Sequence, residues 1–219
     1  MKYIYAGSSW AASSFPVDSN ATNLAREWNL PYINTFGLGS TLLGNIDLIK
    51  KIKTRHPIVW IYHDPITDFE TITGLSNQEF FQRADYHELR EECNQYCLNA
   101  INSLGVPVLL IGGSSDVVNC NFSNIVVGCK SWQKWLVDLA GLNSNLDHYW
   151  GAEIVHLEIC KYPDLDPCPG LVDEIYEHFQ LWKQLEQQDL FYEVHPNKRA
   201  NQEFAKFLLP TVTEFLKDT

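Results

Sequence analysis

Pro57-Ile58-Val59-Trp60-Ile61-Tyr62, followed by His63-Asp64-Pro65, is the run from which the fold can be read. Its β-branched and aromatic residues give a short, continuously apolar segment, as expected of a strand buried in a parallel sheet. The stop follows at Pro65, which has no N–H to continue a ladder. Upstream, residues 2–6 form a similar run that ends at Gly7-Ser8-Ser9, and Pro31-Tyr32-Ile33-Asn34-Thr35 forms a shorter one before Gly37, Gly39 and Gly44. Downstream, Val106-Pro107-Val108-Leu109-Leu110-Ile111 closes at Gly112-Gly113, and Asn124-Ile125-Val126-Val127 is a weaker fifth strand.

Longer amphipathic stretches separate these runs. A polar loop after Ser9 leads to a helix near Asn20 to Leu24, and a second helix carries Ile46, Leu48, Ile49 and Ile52. The spacing of Tyr86, Leu89, Cys93, Cys97, Ile101 and Leu104 predicts one long helix over residues 78–104. Trp132, Trp135 and Leu136 mark another helix from Ser131, its tryptophans read as core. Residues 140–170 lack a period and hold Gly, Asn, Asp and Pro, so a surface excursion or lid is expected there. A helix over 171–188 follows, then Phe191-Tyr192-Glu193-Val194-His195-Pro196-Asn197, then a last helix with Phe204, Phe207 and Leu208 inward. Strands alternating with helices imply an α/β fold with a mostly parallel five-stranded sheet. Residues 1–219 read as a single domain, without repeat or linker.

Composition narrows the function. The 219 residues are 45% hydrophobic and 13% aromatic, enough for a sizeable core. The net charge of −11 and the lack of a dense Lys/Arg cluster argue against nucleic acid or an anionic membrane as partner. No secretory leader or run of 18 apolar residues is visible, so the expectation is a cytoplasmic protein without a membrane span. Cys93, Cys97, Cys120, Cys129, Cys160 and Cys168 are scattered and read as free thiols, with a Cys160–Cys168 bond conceivable only after export. His56, His87, His148, His156 and His178 share no ligand spacing and read as surface or packing residues.

In an open parallel sheet, reactive groups gather beyond the carboxyl ends of the strands. Those positions hold Gly7-Ser8-Ser9-Trp10, Gly37-Leu38-Gly39-Ser40 and His63-Asp64, and His195-Pro196-Asn197 joins them before the last helix. A serine on a tight turn, an imidazole on another loop and amide donors are what nucleophilic acyl transfer needs.

These blocks, in this order across the whole chain, resemble those of the SGNH (GDSL-type) hydrolases. Gly7-Ser8-Ser9-Trp10 is similar to the family's Gly-Asp-Ser block, and Asn34-Thr35-Phe36-Gly37-Leu38-Gly39-Ser40-Thr41 to its second block. Ile61-Tyr62-His63-Asp64 occupies the place of its Gly-x-Asn-Asp block, and His195-Pro196-Asn197 that of its terminal Asp-x-x-His-Pro block. The resemblance implies a flavodoxin-like three-layer α/β/α sandwich and a serine esterase acting on acyl or O-acetyl esters, small-molecule or carbohydrate, with no metal or cofactor. It implies Ser9 as nucleophile, His195 as base, and the Gly39 amide and His63 as oxyanion donors. Three positions depart from the pattern: Ser8 replaces Asp, His63 replaces Asn, and Tyr192 stands where the orienting acid is expected. Glu193, Asp189 or a backbone carbonyl are the alternatives for that third role. Two other readings compete: a flavodoxin-like phosphate or flavin binder, against which the bulk of Trp10 counts, and a catalytically degenerate binder of a glycan or protein.

Overall fold

Five apolar runs pair into one parallel sheet: β1 (Tyr3–Gly7), β2 (Tyr32–Asn34), β3 (Ile58–Tyr62), β4 (Val108–Gly112) and β5 (Ile125–Cys129). The computed structural model describes residues 2–7, 9–12, 23–35, 41–52, 55–63, 65–144, 146, 148–192 and 195–219. Strand order is β2-β1-β3-β4-β5, the flavodoxin-like order of a doubly wound sheet. Every residue of β1, β3 and β4 is buried, which is why these strands show no polar alternation, whereas the edge strands β2 and β5 are partly exposed.

Alternate side chains feed two cores. On one face Tyr3, Tyr5, Val59, Ile61, Leu109 and Ile111 meet residues of α1 (Ser9–Ala12), α2 (Leu24–Trp28), α7 (Trp132–Leu139), α9 (Leu171–Gln187) and α10 (Lys198–Asp218). On the other, Ile4, Ala6, Trp60, Tyr62 and Leu110 meet α3 (Leu42–Ile52) and α6 (Tyr86–Asn102). The result is a three-layer α/β/α sandwich with a five-stranded sheet. Trp132 is fully buried and stacks on Phe204 at 4.4 Å between ring centroids, so it is core as expected.

The structure corrects four details. Residues directly after Ser8 are helical, forming α1, where a polar loop was expected. The long helix is broken into α5 (Asn77–Gln82) and α6, because Arg83 adopts an extended conformation and its guanidinium grips Asp85 through two bonds of 2.7 and 2.8 Å. Phe207 is half-exposed, lying flat against Phe204 and near Trp135 instead of entering the core. Residues before α10 form an antiparallel hairpin, β6 (Phe191–Tyr192) with β7 (His195–Pro196), for which two-residue strands give no periodic signal. Between β3 and α5 lie a 3-10 turn (Pro65–Asp68) and α4 (Phe69–Thr73), and α8 (Ala152–Ile159) falls within the aperiodic stretch 140–170.

Candidate active site at the carboxyl edge of the sheet

Gly7 and Ile61 are register partners on adjacent parallel strands, so the residues two positions further on, Ser9 and His63, both leave the same edge of the sheet. Gly7 makes the turn possible. Its φ is +144°, and a Cβ there would lie 2.7 Å from both the Ala11 side chain and the Ile61 carbonyl oxygen. The chain therefore turns from β1 into α1 with Ser9 as the first helical residue. His63 follows β3 immediately and is 2% exposed.

The second loop arrives from β2. Thr35 donates its hydroxyl and its backbone N–H to the carbonyl oxygen of Tyr5, at 3.3 and 3.0 Å. Gly39, with Ser8, Asp64 and Glu193, lies outside the described residues. The far side of this loop is held by Asp68, whose carboxylate accepts the backbone N–H groups of Leu42 at 2.8 Å and Leu43 at 3.4 Å. A side chain from the segment after β3 thus caps the helix that follows the second loop, coupling two of the four blocks. Burial raises the Asp68 carboxyl above the ordinary carboxylate range against the pull of these bonds.

His195 comes from the hairpin. Tyr192 lies opposite it and Phe191 opposite Pro196. The hairpin is fastened to the serine turn through Trp10, the residue after Ser9: its ring is 5.8 Å from that of Phe191 and 5.4 Å from that of Trp132. Asn197 begins α10, its side-chain oxygen accepting the Ala200 N–H at 3.0 Å. Through that contact α1, which begins at Ser9, packs against the hairpin that carries His195, and His63 leaves the adjacent strand at the same edge.

The His195 ring is buried, and burial lowers its pKa from 6.5 to about 4. It is therefore neutral near pH 7, the state that can accept a hydroxyl proton. Tyr192 is 48% exposed, and the exposed Asp189 accepts a hydrogen bond from the Asn197 side-chain amide at 3.2 Å. Asp189 thus acts on the helix cap.

A second polar cluster escaped the sequence reading. Arg90 and Asn94, in the middle of α6, are buried. Arg90 lies over the Trp150 ring at 4.9 Å, and Asn94 accepts the Tyr62 hydroxyl at 3.0 Å. Asp116 and Tyr149 exchange backbone and side-chain bonds of 2.9 Å, and with Arg90, Asn94 and His148 they line a cavity of about 230 Å³. His178 is fully buried among Tyr149, Trp150 and Trp182, and donates from Nδ1 to the Glu174 carbonyl at 2.8 Å. One available signal was spacing: Arg90 and Asn94 fall on the stripe of Tyr86, Cys93 and Cys97. A larger cavity, of about 590 Å³, lies at the opposite edge, lined by Val106, Pro107, Asn124 and the end of α10.

Fold and edge define an open, doubly wound α/β protein, a class that binds ligands beyond the carboxyl ends of its strands. No protein-family model matches the chain, and no curated protein matches its sequence. Among solved structures the chain is similar to protein YxiM from Bacillus subtilis, at 13% identity and a TM-score of 0.47. The similarity covers 97% of this chain, which spans 56% of the length of that one. Among the described residues, no helix is long and apolar enough to cross a membrane, and no three His, Cys, Asp or Glu side chains group as metal ligands.

Proposed function

We propose that the chain is a serine ester hydrolase of SGNH type, in which Ser9 attacks the ester carbonyl and His195 takes the hydroxyl proton. The observation that carries this reading is the contact of Trp10 with Phe191, which joins the turn bearing the serine to the hairpin bearing the imidazole. Register between β1 and β3 adds His63 to the same edge, where it serves as a donor to the oxyanion together with the Gly39 amide. In the reaction the serine oxygen bonds to the carbonyl carbon while its proton passes to the imidazole. The imidazolium then protonates the departing alkoxide, and water repeats the sequence to release the acid. The substrates are acyl esters, O-acetylated carbohydrates among them.

A short-chain nitrophenyl ester and a fluorophosphonate probe test this. The wild type should gain one covalent adduct on Ser9, and Ser9→Ala should gain none. Hydrolysis by Ser9→Ala and His195→Ala at the wild-type rate would refute the reading. The engagement of Asp189 with Asn197 favours a second reading, a degenerate protein that binds a glycan without turnover. Its signature is glycan binding with no adduct and no hydrolysis.

A further inference from the structure

The six cysteines differ sharply in access. Cys93, Cys97 and Cys168 are buried, while Cys120 and Cys129 are half-buried. Burial pushes the thiols of Cys120, Cys129 and Cys168 up, which lowers the fraction present as the reactive thiolate. Cys160 alone is exposed. It follows the last turn of α8, and its Sγ lies 3.6 Å from Nε2 of His156, four residues earlier. The Cys160 N–H also donates to the His156 carbonyl at 2.9 Å, so the backbone fixes the spacing of the pair. The imidazole is itself held: its ring meets Phe179 of α9 edge-on at 4.9 Å, and Phe179 meets Trp182 in the same way at 5.1 Å. An accessible sulfur, a ring nitrogen within reach and an aromatic support for that ring are the parts of an activated nucleophile.

We propose that Cys160, with His156 as its base, is a site of covalent modification by low-molecular-weight disulfides, independent of ester hydrolysis. The Cys160 proton passes to Nε2 of His156 as Sγ attacks one sulfur of the disulfide. A new sulfur–sulfur bond forms to Cys160 and the original one breaks. The departing thiolate takes the proton back from the imidazolium and leaves as a thiol, so Cys160 is oxidised and the departing sulfur reduced. The other five thiols lack this combination of access and base, which makes the reaction selective within the chain.

Glutathione disulfide at pH 7, acting on the reduced native protein, provides the test, with adducts mapped by peptide mass. A single glutathionyl adduct is expected on Cys160, forming about tenfold faster than on the same chain unfolded in urea, a modest gain for a positioned base. His156→Gln should bring the native rate down to that of the unfolded chain with circular dichroism unchanged, and Cys160→Ser should take up no glutathione. A first adduct on Cys120 or Cys129, a native rate no higher than the unfolded one, or an unchanged rate in folded His156→Gln overturns the proposal. If His156→Gln does not fold, the wild-type comparison of native and unfolded rates decides alone.

Discussion

The indole of Trp10 meets the phenyl ring of Phe191 at 65° between planes, with 5.8 Å between centroids. Trp10 follows the candidate nucleophile, and Phe191 pairs with Pro196 beside the candidate base. One aromatic contact therefore joins the first and last candidate segments of the chain. Phe191→Ala removes a buried ring and should cost about 3–5 kcal/mol of stability. The pair should also be coupled: a double-mutant cycle on Trp10→Leu and Phe191→Leu is expected to give about 0.5–1.5 kcal/mol. Urea unfolding of the four proteins measures this. Strict additivity means the two segments are held by something else.

Gly7→Ala should fail for a reason that repacking cannot cure. Of the two atoms that a Cβ would strike at 2.7 Å, Ala11 Cβ belongs to a side chain but the Ile61 oxygen belongs to the neighbouring strand. The positive φ adds backbone strain. A loss of more than about 2 kcal/mol is expected, and Ala11→Gly in the same chain should not restore it. A shift in thermal midpoint below about 2 °C contradicts the geometry.

Asp68 links the segment after β3 to the start of α3, so its removal should act at a distance. Asp68→Ala leaves the Leu42 and Leu43 N–H groups without their acceptor, a loss of about 1–2 kcal/mol for a cap. Hydrogen exchange should accelerate first at those two amides. Uniform acceleration across the sheet instead indicates global destabilisation with no local role for the cap.

Much of this architecture is legible in the residues alone, and the exceptions have physical causes. β1, β3 and β4 stand out because every side chain in them is buried, so apolar runs map directly onto strands. Ser9 and His63 were assigned to one edge because loops after parallel strands emerge there. The break at Arg83 was hidden, since Arg83 and Asp85 also suit a solvated helix face. Arg90 and Asn94 give no signal of their own because periodicity counts apolar residues, and these are polar groups buried against a ring and a hydrogen-bonding partner, whereas His178, one of the histidines read as surface or packing residues, is a packing residue among rings. Trp10 and Phe191 could each be read as core, but no local pattern reports a contact between the two ends of a chain.

Acid should weaken the fold through two histidines. Burial lowers both His178 and His195 from 6.5 to about 4. Because these folded-state values are depressed, the unfolded chain takes up protons first as pH falls. Stability from this source is complete above about 6.5, is lost progressively down to about 4, and changes no further below that. Each pKa unit corresponds to about 1.4 kcal/mol, so the pair accounts for several kcal/mol over this window. His178→Phe keeps a ring among Tyr149, Trp150 and Trp182 and cannot be protonated. It should lower stability at pH 7, where the bond to Glu174 is lost, and flatten the fall between pH 6.5 and 4. Urea midpoints across that range test the slope, and an unchanged slope assigns the acid sensitivity to other groups.

The same burial sets where ester hydrolysis should switch off. A general base works only in its unprotonated form, and half of His195 is in that form when pH equals its pKa. With that pKa at about 4, kcat/KM for a nitrophenyl ester should be flat from neutrality down to about pH 5, and then fall as the imidazole protonates. Loss of folded protein over the same range is a separate effect, so the rate must be referred to the folded fraction measured by circular dichroism at each pH. His195→Ala should abolish the limb together with the activity, while Cys160→Ser should leave both unchanged. A limb centred near 6.5 for the folded fraction is incompatible with a buried imidazole as the base. It would assign the proton transfer to a solvated group and remove His195 from the reaction.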